Sequence, residues 1–435
     1  MKRYSEYKDS GVKWIGEIPE HWKIEPFGRH FSYGKGLPIT KADLVSEGVA
    51  VISYGQIHSK LNIGTTMDDC LLRYVDPKYI ETNPQCLLNK NDFVFADTSE
   101  DIEGCGNFAF NDRNESIFAG YHTIIVRPID ILHPKYYAYL FQSKKWKSQV
   151  QTLVNGVKVF SISRGILKKA SLLIPTYTEQ QEIVTYLDTK VANIDEYISI
   201  AEKKIAALEE LKQSIIAEAV TRGIHKEVPM KDSGVKWIGM IPEHWKRLRY
   251  KDVLRIRDEK VGKRKDLTLL SLSKKGVIIR DLIDGKGKFP KDFESYKIVN
   301  PNNLILCLFD VDETPRTVGI AKNTGMITGA YDIFDVINEN IKFIYYHYQS
   351  IDDVKGFKPL YKGLRKVIPL PSLMGSYIFI PSLEEQQEIV TYIETKVANI
   401  NQLCQAERSQ IEKLKEYKQR LISDVVTGKV KVTND

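Results

Sequence analysis

Two loops of this chain set basic side chains beside a glycine, which is a pattern typical of groups that contact phosphate oxygens and the edges of bases. The first loop begins at Asn155 with NGVKVFSISRG, and the second is the shorter KGLRKV. The candidate contacts are Lys158, Arg164, Lys362, Arg365 and Lys366. Lysine and arginine bind phosphates, and arginine also hydrogen-bonds to base edges. The loops are therefore candidates for nucleic-acid contact, although solvated surface loops give the same pattern.

Tyr54 and Gln56 follow a run that is predicted to be a strand, and they form a second group of candidate contacts. A glutamine amide can pair with adenine, but polar residues at the edge of a core strand give the same pattern. Lys274 and Lys275 are further candidates for DNA contact. The stretch from Arg247 to Lys265 is dense in lysine and arginine. It could follow a phosphate backbone, although runs of charge are usually solvated surface.

Catalytic motifs are missing from the sequence. A methyltransferase that acts on an exocyclic amine needs an Asn/Asp-Pro-Pro-aromatic loop, and the near misses that begin at Asn83 and Asp76 lack the second proline. No G-x-G-x-x-G follows a predicted strand, and Gly285 and Gly287 lack the spacing of a phosphate-binding loop. The five cysteines are scattered, without a C-x-x-C pair. The sequence thus predicts no catalytic residue, metal or cofactor in this chain.

The composition is that of an ordinary soluble protein. At 435 residues the chain is long enough for two or three domains, and its hydrophobic content is 43%. It has neither a run of about eighteen apolar residues nor an apolar N-terminal segment, so a cytoplasmic location is expected. The net charge of +7 suits a nucleic-acid partner but is also found in proteins that bind none.

A segment of sixteen residues occurs twice and organises the chain. The copy EQQEIVTYLDTKVANI begins at Glu179, and EQQEIVTYIETKVANI begins at Glu385, with fourteen identical positions. Each follows a proline and opens with a capping box, formed by Thr176 and Glu179 or by Ser382 and Glu385. These signals predict the start of a long helix in each half of the chain.

A second repeat precedes each half. KDSGVKWIGEIPEHWK begins at Lys8 and KDSGVKWIGMIPEHWK begins at Lys231, with fifteen of sixteen positions identical. Its glycines, proline and tryptophans indicate an irregular segment held by aromatic anchors. His21 and His244 have no acid or nucleophile at a useful spacing, so packing or capping is predicted for them.

Each predicted helix carries an apolar seam with spacings that mostly alternate between four and three, as in a coiled coil. The seam comprises Leu187, Val191, Ile194, Ile198, Ala201, Ile205, Leu208, Leu211 and Ile215 in the first helix and Ile393, Val397, Ile400, Cys404, Ile411, Leu414, Tyr417, Leu421 and Val425 in the second. Glu407 is a polar exception. Gly223 and Gly428 would end the helices, each roughly 65–70 Å long. Antiparallel pairing would make the molecule pseudo-twofold and nearly circular.

Between the repeats lie two dissimilar segments with short β-rich runs, which predict two α/β heads and hence an α+β protein. In the first head a single helix is predicted from Pro134 to about Val154. The predicted domains are residues 1–175 for the first head with its leading segment 8–23, residues 176–223 for the central helix, residues 224–381 for the second head with its leading segment 231–246, and residues 382–435 for the C-terminal helix and tail.

This combination resembles the specificity subunit of type I restriction-modification systems, the HsdS family. The likeness rests on two variable segments that each end in a strand, a proline and an E-Q-Q-E-I-V helix start. It also rests on helix ends such as AEAVTRG and SDVVTGK, and on the leading K-x-S-G-V-x-W-I-G segment. The resemblance covers nearly the whole chain. It implies that each head is a target-recognition domain for one half of a split, asymmetric DNA sequence, and that the chain has no active site.

The resemblance also implies partners. Two methyltransferase subunits would dock on the helices and two motor-nuclease subunits could join, and these partners would use S-adenosylmethionine and ATP with Mg²⁺. The candidate residues for partner docking or for the helical spacer are Gln180, Gln181, Ile183, Gln386, Gln387 and Ile389. Two other hypotheses stay open. One is a coiled-coil interaction scaffold without DNA specificity, and the other is a divergent stand-alone DNA methyltransferase.

Overall fold

A computed structural model describes most of the chain as two compact units. The described residues are 2–12, 14–130, 133–154, 159–225, 227–235, 238–264, 266–280 and 293–432. Unit 1 comprises Met1–Ile200 with Ser409–Asp435, and unit 2 comprises Ala201–Arg408. Each unit therefore contains one head, the first half of one long helix and the second half of the other.

Unit 1 begins with strands and ends its head with the first long helix. Its strands are β1 Tyr7–Asp9, β2 Glu17–Pro19, β3 Lys23–Pro26, β4 Phe31–Lys35, β5 Leu44–Val45, β6 Val49–Ile52, β7 Arg73–Val75, β8 Leu87–Leu88, β9 Phe93–Ala96, β10 Thr98–Ser99, β11 Phe108–Phe110, β12 Ile117–Ala119, β13 Thr123–Pro128, β14 Phe160–Ser161 and β15 Ser171–Ile174. Its helices are α1 Phe27–His30, α2 Tyr54–Ile57, α3 Tyr79–Thr82, α4 Pro134–Gln142, α5 Lys144–Leu153, α6 Arg164–Lys169 and α7 Tyr177–Arg222, the last continuing into unit 2.

The first head is built on two sheets. An antiparallel sheet has the order β11-β9-β13-β4, and a mixed sheet has the order β5-β7-β6-β12-β8 with one parallel pair, β6 and β12. Strands β3 and β15 pair separately, so the head begins and ends on neighbouring strands. Aromatic rings fill the space between the antiparallel sheet and helices α4 and α5. Phe141, for example, lies 4.5 Å from Trp146 and 5.2 Å from Phe93, measured between ring centroids.

The single helix predicted from Pro134 to Val154 is two helices, which corrects the prediction. Ser143 interrupts it with an extended backbone, φ −62° and ψ 137°. Its hydroxyl accepts a hydrogen bond from the backbone nitrogen of Trp146 at 3.3 Å and so caps the start of α5. The break turns Trp146 into the core, where its side chain is fully buried.

Unit 2 has fewer described strands and ends its head with the second long helix. Its strands are β16 Met230–Asp232, β17 Met240–Pro242, β18 Lys246–Arg249, β19 Leu254–Arg257, β20 Leu270–Ser273, β21 Gly276–Ile279, β22 Lys297–Val299, β23 Leu304–Leu306, β24 Val318–Ile320, β25 Gly325–Ile327, β26 Asp332–Val336 and β27 Tyr377–Ile380. Its helices are α8 Tyr250–Val253, α9 Ile341–Asp353, α10 Leu370–Gly375 and α11 Leu383–Val426, the last continuing into unit 1.

The two heads share a frame that their sequences do not reveal. Unit 2 contains an antiparallel sheet of order β19-β26-β23-β24, which matches the order β4-β13-β9-β11 of unit 1 strand for strand along the chain. The pair β18 and β27 likewise corresponds to β3 and β15, and β16 and β17 correspond to β1 and β2. The heads differ in the strands and loops that are added to this frame.

Both long helices begin and end as predicted. Glu179 and Thr176 complete the capping box of α7, since the Thr176 backbone nitrogen donates to Glu179 Oε2 at 3.0 Å and the Glu179 nitrogen donates to Thr176 Oγ1 at 3.3 Å. Gly223 and Gly428 follow the helix ends with φ values of 74° and 71°, in the left-handed region.

The predicted apolar seam is mostly buried. Leu187, Val191, Ile194 and Ile198 of α7 are buried in unit 1, and Ile393, Ile400 and Cys404 of α11 are buried in unit 2. Within unit 1, Lys418 donates to Asp195 at 2.6 Å; within unit 2, Lys204 lies 2.5 Å from the polar exception, Glu407.

The seam prediction fails at Leu211 and Tyr417, whose exposed fractions are 49% and 41%. An α-helix has 3.6 residues per turn, so a strict 3.5-residue pattern drifts around its surface. Ile216 rather than Ile215 is accordingly the fully buried residue near the end of α7.

Across the part of the chain that the structure describes, no helix combines the length and apolar character needed to span a membrane. The same residues contain no group of three or more His, Cys, Asp or Glu side chains arranged to hold a metal ion.

Candidate nucleic-acid interface

Tyr54 and Gln56 lie on the short helix α2, directly after strand β6. The Gln56 side-chain oxygen accepts a hydrogen bond from the Ser53 backbone nitrogen at 3.2 Å, which completes a capping box for α2. The oxygen of this amide is therefore engaged in local structure. The Tyr54 ring is half-buried and packs edge-on against Tyr121 and His122, with centroids 5.5 and 5.4 Å away. Of the two, Tyr54 presents the more available face.

Tyr54 opens onto a concave surface of the first head. This surface is also lined by His58, Asp101, Asn107 and His122. His122 has a φ of 54°, a left-handed conformation that is uncommon for a residue with a side chain. Asp97 holds it there, because its backbone nitrogen donates to the His122 carbonyl at 3.1 Å and its carboxylate lies 3.3 Å from His122 Nδ1.

The polar groups of this concavity form a connected chain of hydrogen bonds. His58 Nε2 donates to the Thr98 carbonyl at 2.8 Å, so its Nδ1 is left to accept from the Asn107 amide at 3.1 Å. Lys147 Nζ then donates to Asn107 Oδ1 at 2.6 Å, and burial lowers the pKa of Lys147. The rim is acidic, with Glu100, Asp101 and Glu103. Such acceptors suit the exocyclic amines of cytosine and adenine and repel phosphates.

The first basic loop lies only partly within the described residues. Lys158 is outside them. Arg164 is the first residue of α6, and Ser163 caps this helix by accepting from the Ile166 backbone nitrogen at 3.2 Å. The Arg164 side chain is half-buried. No hydrogen bond or ion pair joins its guanidinium group to another described residue.

Lys274 and Lys275 form the tip of the hairpin between β20 and β21. Both side chains are exposed. The Lys275 backbone nitrogen donates to Ser273 Oγ at 3.1 Å, and Gly276 supplies the left-handed residue of the turn with a φ of 91°. The hairpin therefore carries two adjacent positive charges into solvent.

The second basic loop is a tight turn, the 362–367 turn, in which the structure brings Lys362, Arg365 and Lys366 together. Lys362 and Val367 exchange both backbone hydrogen bonds, at 2.8 and 3.0 Å. Gly363 and Lys366 have φ values of 68° and 46°. All the side chains of the turn are exposed.

Arg365 of this turn is held by an ion pair. Its guanidinium group donates to both carboxylate oxygens of Asp310, at 3.2 and 2.5 Å, and lies 5.3 Å from the centre of the Phe309 ring. The hydrogen bonds from Arg365 lower the pKa of the Asp310 carboxyl. The pair fixes the turn against the head, so Lys362 and Lys366 carry the uncompensated charge. The predicted DNA contact of Arg365 would require this pair to open.

Much of the basic stretch from Arg247 to Lys265 has partners inside unit 2. Arg247 stacks on the Tyr377 ring at 3.7 Å, and Arg257 lies 3.4 Å from the Asp335 carboxylate. Arg264 lies 3.8 Å from Glu259. Internal pairing of this kind favours the solvated-surface interpretation for most of the stretch.

Four of the six residues predicted for partner docking or for the helical spacer face inward, which argues against a docking role for these four. Gln180 and Gln386 are buried, and their amide nitrogens donate to the carbonyls of Pro175 and Pro381 at 3.0 and 3.1 Å. Ile183 and Ile389 are fully buried core residues. These four side chains tie each helix to its own head, so they are not available to a partner. Gln181 and Gln387 are exposed.

The two repeats bind each other in unit 1, a contact that we call the latch. Trp22 Nε1 donates to Glu179 Oε1 at 3.1 Å, and His21 Nε2 lies 3.0 Å from the same oxygen. Burial alone would raise the pKa of Glu179, but hydrogen bonds from Trp22, His21 and Thr176 together lower it. The predicted packing or capping role of the histidine thus has a definite partner.

Unit 2 contains the same latch. Trp245 Nε1 donates to Glu385 Oε1 at 3.1 Å, and His244 Nε2 lies 2.8 Å from Glu385 Oε2. The ends of the helices also meet these tryptophans within each unit. A Cβ on Gly428 would lie 3.2 Å from Trp22, and one on Gly223 would lie 3.6 Å from Trp245. Each leading segment therefore joins the start of one long helix to the end of the other.

The tails of unit 1 close in the same way. Tyr7 donates its hydroxyl to the Gly428 carbonyl at 3.0 Å, and Lys2 pairs with Lys431 in an isolated β-bridge. The N-terminal and C-terminal segments are thus neighbours within unit 1.

Each helix start presents an exposed stripe that is identical in both copies. Four-residue spacing places its glutamine and its two threonines on one face of the helix, and a lysine directly follows the second threonine. The stripe comprises Gln181, Thr185, Thr189 and Lys190 on α7 and Gln387, Thr391, Thr395 and Lys396 on α11. Packing in the core does not require these identities, because all eight side chains are exposed.

Comparison with known proteins yields one family and several relatives. Residues 33–210 match the model of the type I restriction modification DNA specificity domain. The MjaVIII specificity subunit of Methanocaldococcus jannaschii, a type I restriction enzyme subunit, is 23% identical over 98% of both chains. The EcoKI specificity subunit of Escherichia coli K12 is 21% identical over 55% of this chain and 49% of its own.

Two solved structures share the fold. A chain from a study of complex assembly and conformational transition in the type I restriction-modification system superposes with a TM-score of 0.66, 14% identity and coverage of 94% of this chain and 98% of that one. The HsdS subunit of Thermoanaerobacter tengcongensis gives a TM-score of 0.51 and 15% identity, with coverage of 97% of this chain and 100% of that one.

The fold and the repeats define a protein with two divergent α+β heads on a duplicated helical frame. The chain is similar to type I restriction-modification specificity subunits in sequence and in fold, and the similarity to the relatives from Methanocaldococcus jannaschii extends over nearly its full length.

Sequence analysis missed two features of the candidate interface. It did not connect Asn107 and His122 with Tyr54 and His58, because they come from different strands and loops. It did not pair Arg365 with Asp310, which lies 55 residues away along the chain. A family alignment of the loops could have indicated such groupings, whereas composition and spacing carry no signal for them.

Proposed function

We propose that this chain is the DNA sequence-specificity subunit of a type I restriction-modification complex. Each head reads one half of a bipartite, asymmetric DNA target. The chain itself is a non-catalytic subunit, and its contribution is to place bound partners over a target base in each half-site.

One observation carries this proposal: the two units share a frame and a latch but differ in the loops that they present. The four-stranded sheet, the flanking strand pair and the tryptophan–glutamate latch are equivalent in both units. The candidate contact surfaces are not equivalent, since unit 1 offers an acidic concavity with Tyr54 whereas unit 2 offers the 362–367 turn. Different surfaces on one frame suit two different half-sites, and hence a non-palindromic target.

The long helices would fix the distance between the half-sites. We propose that they pair as an antiparallel coiled coil and relate the heads by a pseudo-twofold axis. Support comes from the buried seam and from cross-helix ion pairs inside each unit, Asp195 with Lys418 and Lys204 with Glu407. A rigid spacer would make the separation of half-sites a fixed property of the protein, as it is for dimeric DNA-binding proteins.

The duplicated surface favours partners that are present in two copies. Two methyltransferase subunits would dock on the exposed stripes, which are identical in the two units. They would supply S-adenosylmethionine-dependent methylation, with adenine N6 as the expected target. Two motor-nuclease subunits would add translocation driven by ATP with Mg²⁺ and DNA cleavage.

Mapping of modified adenines across a genome tests the proposal directly. Cells that express the chain with its methyltransferase should show methylation at a two-part motif, and cells that lack the chain should lose it. Unchanged methylation in the presence of expressed partners would contradict the proposal. Methyl transfer to DNA by the purified chain alone would instead identify it as an enzyme.

Binding in a salt series separates the proposal from a protein-interaction scaffold. The assembled complex should bind its target with a steep fall in log affinity as log salt rises, because phosphate contacts release counterions. A scaffold would show weak DNA affinity without preference for sequence.

A further inference from the structure

The 362–367 turn carries an apolar residue at its most prominent position. Leu364 is 100% exposed, the highest value among the large hydrophobic side chains that the structure describes as exposed. Isolated surface leucines are common and need no explanation on their own. The backbone and the charges around Leu364 distinguish it from a surface leucine that has no binding role.

The backbone that presents Leu364 is fixed. The paired hydrogen bonds between Lys362 and Val367 close the turn, and the Asp310 backbone nitrogen donates to the Arg365 carbonyl at 2.7 Å. The Ile368 nitrogen donates to the Leu308 carbonyl at 2.8 Å, which ties the end of the turn to the head. The side chain therefore protrudes from a rigid support, and binding through it would cost little backbone entropy.

The charges around Leu364 select the kind of surface that can cover it. Lys362 precedes it, Lys366 follows two residues later, and both are exposed. Arg365 is neutralised by Asp310, so the turn has a surplus of positive charge on both sides of its apolar tip. A polyanion with an apolar interior fits this arrangement, and double-stranded DNA has that structure, because its stacked bases lie between two phosphate backbones.

We propose that Leu364 is a wedge that inserts against a base step in the minor groove of the half-site bound by unit 2, with Lys362 and Lys366 on the flanking phosphates. Apolar side chains used in this way unstack the step and bend the duplex. The inference rests on the proposed DNA-binding function and adds a position-specific role in it. Unit 2 would then select its half-site partly by how easily a base step opens.

The experiment uses the full complex with its methyltransferase and a target duplex that carries 2-aminopurine at successive positions of each half-site. Wild type should raise 2-aminopurine fluorescence at one step of the unit 2 half-site, because unstacking removes quenching.

Leu364→Ala should abolish that rise and weaken binding about tenfold. It removes no charge, so the slope of log affinity against log salt should stay the same. Lys362→Ala should instead reduce the slope by about one.

Val354→Ala is the matched control, because Val354 is another exposed aliphatic residue of unit 2, with 69% of its surface accessible. It should leave fluorescence, affinity and salt slope unchanged. If Leu364→Ala keeps both the fluorescence rise and the affinity, the wedge is refuted while sequence-specific binding by wild type still supports the proposed function. If wild type binds no specific sequence, the proposed function itself fails, and the wedge with it.

Discussion

At the scale of single residues, the most connected group in each unit is the glutamate that opens a long helix. Glu179 accepts hydrogen bonds from Thr176, Trp22 and His21, so one carboxylate caps a helix and also holds the leading segment. The identity of this glutamate, tryptophan and histidine in both halves of the chain follows from this geometry. A change in either partner would leave a buried polar group without its hydrogen bond.

Glu179→Gln should lower the free energy of unfolding of unit 1 by about 1–3 kcal/mol at pH 7, because an amide cannot accept all the hydrogen bonds that the carboxylate accepts. Urea unfolding followed by tryptophan fluorescence measures this. Glu196→Gln on the same helix is the control, since Glu196 is exposed. It should change stability by less than about 0.5 kcal/mol.

The comparison of wild type with Glu179→Gln also gives a prediction about pH. The pKa of Glu179 is lowered in the folded state, so its contribution is complete above the ordinary glutamate value of 4.5 and is lost as the pH falls through the lower, folded value. The stability difference between wild type and Glu179→Gln should therefore shrink as the pH falls below about 4.5. A difference that is constant from pH 7 to pH 3 would show that the charge of Glu179 is not responsible.

The glycines after the long helices form a natural matched pair. Both have left-handed backbones, so alanine should cost about 1–2 kcal/mol at either one. At Gly428 a Cβ would also lie 2.4 Å from the Pro19 ring, whereas at Gly223 the nearest atom is 3.4 Å away. Gly428→Ala should thus destabilise the chain by about 1–3 kcal/mol more than Gly223→Ala.

Urea unfolding checks the glycine prediction, with Gly375→Ala as the neutral control because nothing lies within 4 Å of a Cβ there. Equal losses at Gly223 and Gly428 would mean that the contact with Pro19 relaxes at no cost.

Residue roles were only partly predictable from the sequence. Spacing identified the capping boxes and the stop glycines, because those signals depend on neighbours in the chain. Gln180 and Gln386 were predicted as surface residues, yet each amide faces a proline carbonyl inside its own head. Repetition indicates that a residue is constrained, but it does not tell whether the constraint comes from the core or from a partner.

At the scale of elements, the exposed stripes at the helix starts make a prediction about docking. Thr185→Glu should weaken the methyltransferase site on α7 by at least about tenfold and leave the site on α11 intact, and Thr391→Glu should do the reverse. Each single variant should carry one methyltransferase instead of two, because a carboxylate added within the proposed docking surface must be desolvated when the subunit binds. Native mass spectrometry of the reconstituted complex counts the subunits.

Tyr197→Glu is the control for the stripe. Tyr197 is 64% exposed on the same helix but has Leu403 as its counterpart in the second copy, so it is not part of the repeated surface. It should leave both methyltransferases bound. Loss of a subunit from this variant, or none from the threonine variants, would place the docking surface elsewhere.

Long elements were predicted better than short ones. The α7 helix runs from Tyr177 to Arg222, as its caps and uninterrupted periodicity indicate. The break at Ser143 was missed, because a serine within a helical pattern is compatible with continuation until the packing of Trp146 decides otherwise. The shared sheet of the heads was also missed, since strands of three to six residues with different side chains can occupy the same frame.

At the scale of the whole molecule, the proposed spacer predicts a change in the DNA target. Matched deletions of seven residues from residues 196–217 of α7 and from the facing part of α11 keep the apolar seam in phase. They would shorten the spacer by about 10 Å, or about three base pairs. Methylation mapping should then find both half-sites unchanged and the gap between them shorter. Altered half-sites at constant spacing would contradict the role of the helices as a spacer.

The resemblance to type I restriction-modification specificity subunits was visible in the sequence, because two repeated segments in fixed order leave few alternatives. The bases that each head recognises were not predictable, because the candidate contacts lie on loops whose partners are distant in sequence. Arg365 with Asp310 and Tyr54 with His122 are examples. Residues that are this far apart in the sequence come into contact only in the folded chain.

The latch has a consequence for evolution. Several hydrogen bonds that attach each head to the frame come from the repeated segments or from the strands beside them, namely from the tryptophan of the leading segment and from the proline and glutamine of the helix start. Gene conversion or recombination across these near-identical stretches would therefore exchange a whole head at joints that already fit. A lineage could acquire a new target sequence in one genetic event, without a folding intermediate that selection would remove.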